Sequence, residues 1–159
     1  MSNYAFIDGQ NLHLGITKLG WKPDWTRLRI YLREKYHVSR AYYFLGYMPA
    51  HEGLYERLQT AGFVLMFKKV IYIAGKPKGN VDAELVLHAM IEYAEYERAV
   101  VVTSDGDFAC LVRHLSEQGK LERVLSPSRD GCSALLKQAA KERIDFLEQA
   151  RAKIELIQK

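Results

Sequence analysis

An uninterrupted apolar run, Ala99–Val102, lies between two stretches with helical spacing. A strand without polar positions is buried on both faces, as in parallel sheets covered by helices. Four further runs rich in apolar and β-branched residues alternate with helical segments: Tyr4–Ile7, Val38–Gly46, Phe63–Val70 and Leu121–Leu125. This alternation predicts an α/β domain, a three-layer α/β/α sandwich with a mainly parallel central sheet of about five strands.

The helical segments have recognisable starts and stops. Pro23-Asp24 is an N-cap signal before a helix from Trp25, and Gly62 and Gly119 end two later helices. Further helices are predicted near 51–61, from 81, near 108–115, near 133–140 and at about 144–157. We expect one domain over residues 1–159, with the 144–157 helix packing on the core or on a partner, so that a homo-oligomer is possible. The turn-rich stretch 74–80 is predicted to be a mobile connection.

The composition excludes several protein classes. Apolar residues make up 48% of the 159 residues, which is enough for a packed core. No apolar run approaches the roughly 20 residues that span a bilayer, so we expect no membrane partner. Met1-Ser2-Asn3 leads directly into a strand-like segment rather than a signal peptide, so a cytoplasmic location is expected.

The charges are divided unevenly along the chain. Residues 1–80 carry 12 Lys and Arg against 5 Asp and Glu, whereas residues 81–159 carry 11 against 14. The first half is therefore basic and the second slightly acidic, which favours a polyanionic partner for the basic half.

Four aspartates fall at or near the predicted functional edge of the sheet. Asp8 follows the first strand, Asp105 and Asp107 follow the run Ala99–Val102, and Asp82 opens a helix. Ligands of open parallel sheets bind beyond the carboxyl ends of the strands. Several carboxylates brought together there repel one another unless a hard cation compensates them, and Mg²⁺ or Mn²⁺ favours such oxygen ligands.

Each aspartate also has a purely structural interpretation. Asp8 can cap a helix, Asp105-Gly106-Asp107 can form a hairpin turn, and Asp82 can complement a helix dipole. Asn11 can cap the first helix, or its amide can orient an aspartate or a phosphate, and Ser104 can donate to a phosphate or belong to a turn. His88 is more consistent with the core than with a metal ligand, and Glu84 with a solvated position.

Three segments resemble, in order, the signature segments of the NYN domain family, which includes LabA-like bacterial proteins and belongs to the PIN-like nuclease superfamily. They are Phe6–Asn11, Lys78–Asp82 and Thr103–Phe108. The resemblance extends from the first strand to about Leu136. It implies a parallel α/β/α fold with an acidic divalent-metal site and hydrolysis of phosphodiester bonds, most often in RNA.

By position, the resemblance assigns the acidic site to Asp8, Asp82, Asp105 and Asp107, as metal ligands and catalytic residues. It also matches Asn11 and Ser104 to polar residues of the site. Some relatives carry another acid about two helical turns after the Asp82 position, where this chain has His88.

The leading hypothesis is therefore a ribonuclease dependent on Mg²⁺ or Mn²⁺. Asp8 and Asp105 would bind the ion, and Asp82 and Asp107 would complete the site and orient water. Lys76 and Lys78 are candidates to neutralise flanking phosphates, and Arg27, Arg29 and Arg40 belong to a basic group that forms either an approach surface or a solvated helix face. A single-stranded or looped RNA is the expected substrate, because its backbone can bend into an acidic pocket.

One other function remains open, and two further classes lack the motif that each requires. A non-catalytic RNA-binding or regulatory module would predict loss of site acids, and all four are present. A phosphatase with covalent aspartate chemistry would need Asp-x-Asp directly after the first strand, where only Asp8 occurs. A dinucleotide-binding domain would need GxGxxG, which the Gly9 turn does not supply.

Overall fold

Six parallel strands form the central sheet of the computed structural model, which describes residues 1–78 and 80–157. Its strand order is β3-β2-β1-β6-β7-β8, and β4 and β5 form a separate antiparallel ribbon. The strand bounds are β1 (Asn3–Asp8), β2 (Val38–Tyr47), β3 (Phe63–Lys69), β4 (Ile71–Ile73), β5 (Lys76–Lys78), β6 (Ala99–Val102), β7 (Leu121–Ser126) and β8 (Ile144–Phe146).

Helices cover both faces of this sheet. On one face lie α1 (Gly9–Lys18), α2 (Trp25–Tyr36), α3 (Glu52–Ala61) and α7 (Arg151–Ile154); on the other lie α4 (Asp82–Ile91), α5 (Ala109–Glu117) and α6 (Ala134–Ala140). The central strands divide their side chains between the two cores. Val100 and Val102 point into the first and Val101 into the second, and all three are buried. The predicted three-layer α/β/α architecture is confirmed.

The order of the strands creates a crevice between β1 and β6. The chain builds β1, β2 and β3 outward in one direction, and β6 then pairs with the opposite side of β1. Such a reversal separates the loops that follow the two neighbouring strands, and ligands bind there. Asp8 ends β1, and Thr103 follows β6, so both lie at this crevice.

Several helix boundaries agree with the sequence signals. Asp24 caps α2 by accepting a hydrogen bond from the Arg27 backbone N–H at 3.1 Å. Gly62 follows α3 with a φ of 105°, as expected for a helix C-terminus. In the part of the chain that the structure describes, every helix is too short or too polar to cross a bilayer.

The prediction of a helix over 144–157 is wrong, and this error accounts for the sixth strand. Ile144–Phe146 pairs in parallel with β7, then a 3₁₀ turn leads into the four-residue α7. The spacing of Ile144, Leu147 and Ile154 fits a helix, but Ile144 and Phe146 instead pack on the α4–α6 face and Leu147 and Ile154 on the other. The open edge of β7 thus determined the local structure. The end of this segment packs on its own core through Ile154.

The stretch 74–80 is not a simple connection. Lys76–Lys78 pairs with Ile71–Ile73 in an antiparallel ribbon around Ala74 and Gly75. Both turn residues have positive φ, 54° and 78°, which is the pattern of a type I′ hairpin turn. The predicted strand Phe63–Val70 ends one residue earlier, at Lys69. Gly79, which belongs to the second signature segment, lies outside the described residues.

Candidate functional site

Three of the four predicted aspartates come together at the crevice. Asp8, Asp82 and Asp105 each offer a carboxylate oxygen, and these atoms lie within 4.8 Å of one another. The three side chains line a pocket of about 170 Å³ together with Gln10, Asn11, Leu14, Leu45, Gly46, Asn80 and Val81. Oxygen donors at this spacing fit a hard divalent cation such as Mg²⁺ or Mn²⁺, and they offer no sulfur or imidazole ligand to zinc.

Asp8 is buried, with 6% of its surface exposed, and its carboxylate has two hydrogen-bond donors. One oxygen accepts from the Asn11 backbone N–H at 3.4 Å and caps α1, and the other accepts from the Thr103 hydroxyl at 3.2 Å. Burial raises the pKa of Asp8, these two donors oppose the rise, and the charge of Asp105 adds to it. The capping interpretation and the metal-site interpretation of Asp8 are therefore compatible.

Gly9 allows this first strand end to pack closely against β2. A Cβ atom built at Gly9 would lie 2.3 Å from the Tyr43 ring and 2.7 Å from the carbonyl oxygen of Phe44. The Tyr43 hydroxyl also donates to the Gly9 carbonyl at 3.2 Å. A side chain at this position would displace the segment that carries Asp8.

Asp105 is held by the turn that follows β6. Its backbone N–H donates to the Thr103 hydroxyl at 3.1 Å, and its carboxylate accepts from the Asp107 backbone N–H at 2.9 Å. The Asp-Gly-Asp segment is a 3₁₀ turn that leads into α5, so the hairpin alternative is excluded. Thr103 thus touches both Asp8 and Asp105 and holds their two strand ends together.

Asp82 lies at the start of α4 and is the most strongly perturbed aspartate. Its backbone N–H donates to the Asn80 side chain at 2.8 Å. Burial, then the charges of Asp105 and Asp8, raise the pKa of Asp82 to about 6, and the Asp107 carboxylate adds to this because it can accept a hydrogen bond from protonated Asp82. Such mutual repulsion among carboxylates is what a bound cation relieves.

Asp107 is not a member of the three-carboxylate group. Its side chain is exposed, its backbone N–H donates to the Asp105 carboxylate, and its negative charge contributes to the raised pKa of Asp82. The structure therefore places Asp107 at the rim of the pocket, outside the cluster of candidate ligands.

Asn11 and Ser104 link the two strand ends. The Asn11 side-chain oxygen accepts from the Ser104 backbone N–H at 2.9 Å and from its hydroxyl at 3.0 Å. The Ser104 hydroxyl proton is therefore used in a hydrogen bond within the protein. In this structure both residues position the loop that carries Asp105.

His88 and Glu84 occupy positions outside the acidic group. The His88 ring packs against Tyr42, with centroids 4.5 Å apart, and Nε2 lies 3.3 Å from a Glu92 oxygen. Glu84 pairs with Lys68 at 3.2 Å. The core interpretation of His88 is supported, and the Glu84 carboxylate lies beside a lysine.

The basic residues fall into two groups. Lys76 and Lys78 are exposed on β5, in the ribbon between β3 and Asp82. Arg27 and Arg29 instead donate to backbone carbonyl oxygens, and Arg40 lies at the amino end of β2 beside Tyr4. Arg27 and Arg29 therefore stabilise the fold through these hydrogen bonds. Arg40 lies at the sheet edge opposite the aspartates.

Sequence reasoning missed Thr103 and Asn80 as members of the site. The sequence carries a signal for Thr103, because a hydroxyl residue directly follows an apolar strand, and in the structure Thr103 is fully buried. Asn80 orients the start of α4 through its side chain, and its carbonyl accepts from Lys68 at 2.8 Å. Neither contact is a regular feature of a helix or strand, so neither could be derived from periodicity.

Comparisons with known proteins agree with this arrangement. The model of the NYN domain matches residues 4–148, so the chain belongs to the NYN domain family. The acidic cluster at the crevice of its α/β fold is compatible with metal binding.

Among individual proteins, it is 26% identical to the low amplitude and bright protein LabA of Synechococcus elongatus, over 94% of this chain and 86% of that one.

Two solved structures share the fold. A protein of unknown function from Vibrio parahaemolyticus, VPA0982, superposes with a TM-score of 0.81 at 20% identity, over 98% of this chain and 96% of that one. The T5 D15 protein, co-crystallized with metal ions, has a TM-score of 0.50 at 14% identity, over 78% of this chain and 54% of that one. At these identities the likeness concerns the fold.

Proposed function

We propose that this protein is a divalent-metal-dependent nuclease that hydrolyses phosphodiester bonds, with RNA as its substrate. The observation that carries the proposal is the group formed by Asp8, Asp82 and Asp105, whose oxygens lie within 4.8 Å of one another at the crevice. Membership of the NYN domain family adds independent support.

The three carboxylates of this group would hold Mg²⁺ or Mn²⁺. When bound there, such an ion supplies Lewis-acid stabilisation of charge on the scissile phosphate and lowers the pKa of water. Asp8 is immobilised for this role by its hydrogen bonds from Asn11 and Thr103. Asp105 is held by Thr103 and by the Asp107 backbone, so its carboxylate is oriented before any ligand arrives.

Asp107 is proposed to orient the attacking water. It is exposed at the rim, and its charge helps to raise the pKa of Asp82, so its carboxylate can accept a proton at the pocket entrance. Asn11 and Ser104 act by positioning: their two hydrogen bonds hold the β6 loop against α1. Lys76 and Lys78 would neutralise flanking phosphates from the exposed β5 strand.

A cleavage assay tests this function. Labelled single-stranded RNA and DNA of the same sequence are incubated with the wild-type protein, with Asp105→Asn and with Asp130→Asn, a control at an exposed aspartate outside the site. Each incubation is carried out in Mn²⁺, in Mg²⁺ and in chelator. We expect metal-dependent RNA cleavage by the wild type and by Asp130→Asn, and its loss in Asp105→Asn and in chelator.

Cleavage that persists in chelator or in Asp105→Asn would refute the metal-aspartate mechanism. Preferential cutting of DNA would overturn the substrate assignment. If the wild type cuts neither polymer with either metal but binds RNA, the non-catalytic module is the better account. In Asp107→Asn, retained metal binding with lost cleavage would support the water-orienting role.

A further inference from the structure

The ribbon formed by β4 and β5 exposes an unusual set of side chains. Ile71, Tyr72 and Ile73 are 51%, 65% and 55% exposed, and they follow one another along a single short strand. Contiguous exposed apolar side chains mark an interaction site in a folded protein. None of these three side chains belongs to either of the two cores of the sheet.

The ribbon begins and ends at the edge of the sheet that carries the aspartates. β3 is parallel to β2 and β1, and its last residues, Lys68 and Lys69, lie beside Gly46 and Tyr47 at the carboxyl end of β2. β5 ends at Lys78, and Asn80 and Asp82 already line the acidic pocket. Strands of three residues extend about 10 Å, so the ribbon stays near the pocket.

The charge of the chain from β3 to the start of α4 indicates which kind of partner the ribbon binds. Residues 63–81 contain four lysines and no acidic residue. Lys68 is paired with Glu84, whereas Lys69, Lys76 and Lys78 are exposed. A second copy that docked here around a two-fold axis would bring these lysines against their own equivalents, whereas a nucleic acid would bring phosphates. Charge complementarity therefore favours the nucleic acid.

The ribbon presents two different faces. Ile71 lies opposite Lys78 and Ile73 opposite Lys76, so these four side chains share one face. Tyr72 points to the other face, because neighbouring residues of a strand alternate. The ribbon is only two strands wide, about 5 Å between strand axes, so a flexible single strand that crosses it reaches both faces. A rigid duplex lies against one face.

We infer that the β4–β5 ribbon is a binding arm for single-stranded nucleic acid, in which Tyr72 stacks on an unpaired base and Lys76 and Lys78 contact phosphates. The inference rests on the proposed function in one respect: the bound strand is taken to run from the arm to the acidic pocket, where cleavage is proposed to occur. It adds a source of selectivity for unpaired substrates, because a base inside a duplex is not available to Tyr72.

The test measures binding apart from cleavage. Fluorescence anisotropy of a labelled oligouridine and of a blunt RNA duplex is recorded in chelator and again in Ca²⁺. We expect Tyr72→Ala to weaken oligouridine binding about 5- to 150-fold, the range for the loss of one stacked base. Duplex binding should stay unchanged in this variant. Tyr72→Phe, which keeps the ring, should retain the affinity, and Tyr72→Leu should not.

The lysines have a separate readout, the salt dependence of the dissociation constant. Each phosphate contact on a single strand contributes about 0.7 to the slope of log affinity against log salt. Lys76→Gln together with Lys78→Gln should therefore lower that slope by about 1.4. The matched control Lys153→Gln, exposed on α7, should leave it unchanged. Thermal unfolding checks that all variants remain folded.

The outcomes separate the arm from the nuclease. Oligouridine binding that is absent in the wild type, or unaffected by Tyr72→Ala, refutes the arm even if the protein cuts RNA. Tyr72-dependent binding without any cleavage supports the arm and refutes the proposed nuclease. A wild-type dimer that Tyr72→Ala dissociates, with unchanged nucleic-acid binding, would show that the ribbon is instead a contact between copies.

Discussion

Replacing Asp82 by asparagine should stabilise the metal-free protein. Asp82 faces Asp8 and Asp105, with carboxylate oxygens within 4.8 Å, and its pKa is raised to about 6. Two unit charges at this separation repel by about 0.9 kcal/mol in water and about 3.5 kcal/mol at an effective dielectric constant of 20. Asp82 is partly exposed, so the lower value applies and two such pairs amount to about 2 kcal/mol.

The assay is thermal unfolding at pH 8, with chelator and with Mn²⁺. For a chain of this length, about 2 kcal/mol corresponds to a rise in Tm of about 4–8 °C for Asp82→Asn in chelator. Mn²⁺ should raise the Tm of the wild type, because it binds only the folded site, and it should raise that of Asp82→Asn much less. The matched control Asp130→Asn is exposed and should follow the wild type in both conditions.

A lower Tm of Asp82→Asn in chelator would refute the repulsion argument. A Mn²⁺ shift as large as that of the wild type would refute the assignment of Asp82 to the metal group. Higher apo stability combined with a lost metal response is the signature of a site in which charge is concentrated for binding.

Three further predictions concern the residues around this cluster. Gly9→Ala should lower the free energy of unfolding by about 1–3 kcal/mol, because its Cβ would overlap the Tyr43 ring, and denaturant titration measures this loss. Thr103→Val keeps the shape but removes the hydroxyl that Asp8 and Asp105 share, so calorimetry should show weaker Mn²⁺ binding; unchanged affinity would contradict its positioning role. Mn²⁺ affinity should fall about tenfold from pH 7 to pH 5, because Asp82 takes up a proton below about pH 6. A Mn²⁺ affinity that does not change with pH would contradict the raised pKa of Asp82. The same raised pKa penalises the charged form of Asp82 in the folded chain, so without metal its contribution to stability should decrease as the pH rises from 3.8 to about 6.

The sheet was predictable because its strands carry strong local signals. Ala99–Val102 is apolar throughout, and the structure places it at the centre of a parallel sheet with helices on both faces. Asp24 and Gly62 mark helix ends through local hydrogen bonding and backbone conformation, which depend on few neighbours. Such features depend on short segments of sequence, so they can be predicted without knowledge of tertiary contacts.

The errors lie where tertiary pairing overrides local spacing. Ile144–Phe146 becomes a strand because the edge of β7 is open to it, and no property of residues 144–157 alone shows that edge. The β4–β5 ribbon forms around Ala74, a residue that seldom adopts a positive φ, so its turn carries only half of the usual signal.

The site was predictable in its aspartates but not in how they are held. The rule that ligands bind at strand ends predicts that Asp8 and Asp105 lie close together. It could not separate Asp107, at the rim, from the three grouped carboxylates, because a turn of two residues decides which side chain points inward. Nor could it show that Asn11 and Ser104 bind each other.

The central claim is that Asp8, Asp82 and Asp105 form one divalent-metal site, and anomalous diffraction tests it most directly. Crystals grown with Mn²⁺ would be measured at the manganese absorption edge. The account predicts an anomalous peak within bonding distance of carboxylate oxygens of these three residues. A fully occupied manganese ion elsewhere, with no peak among the three aspartates, would contradict it.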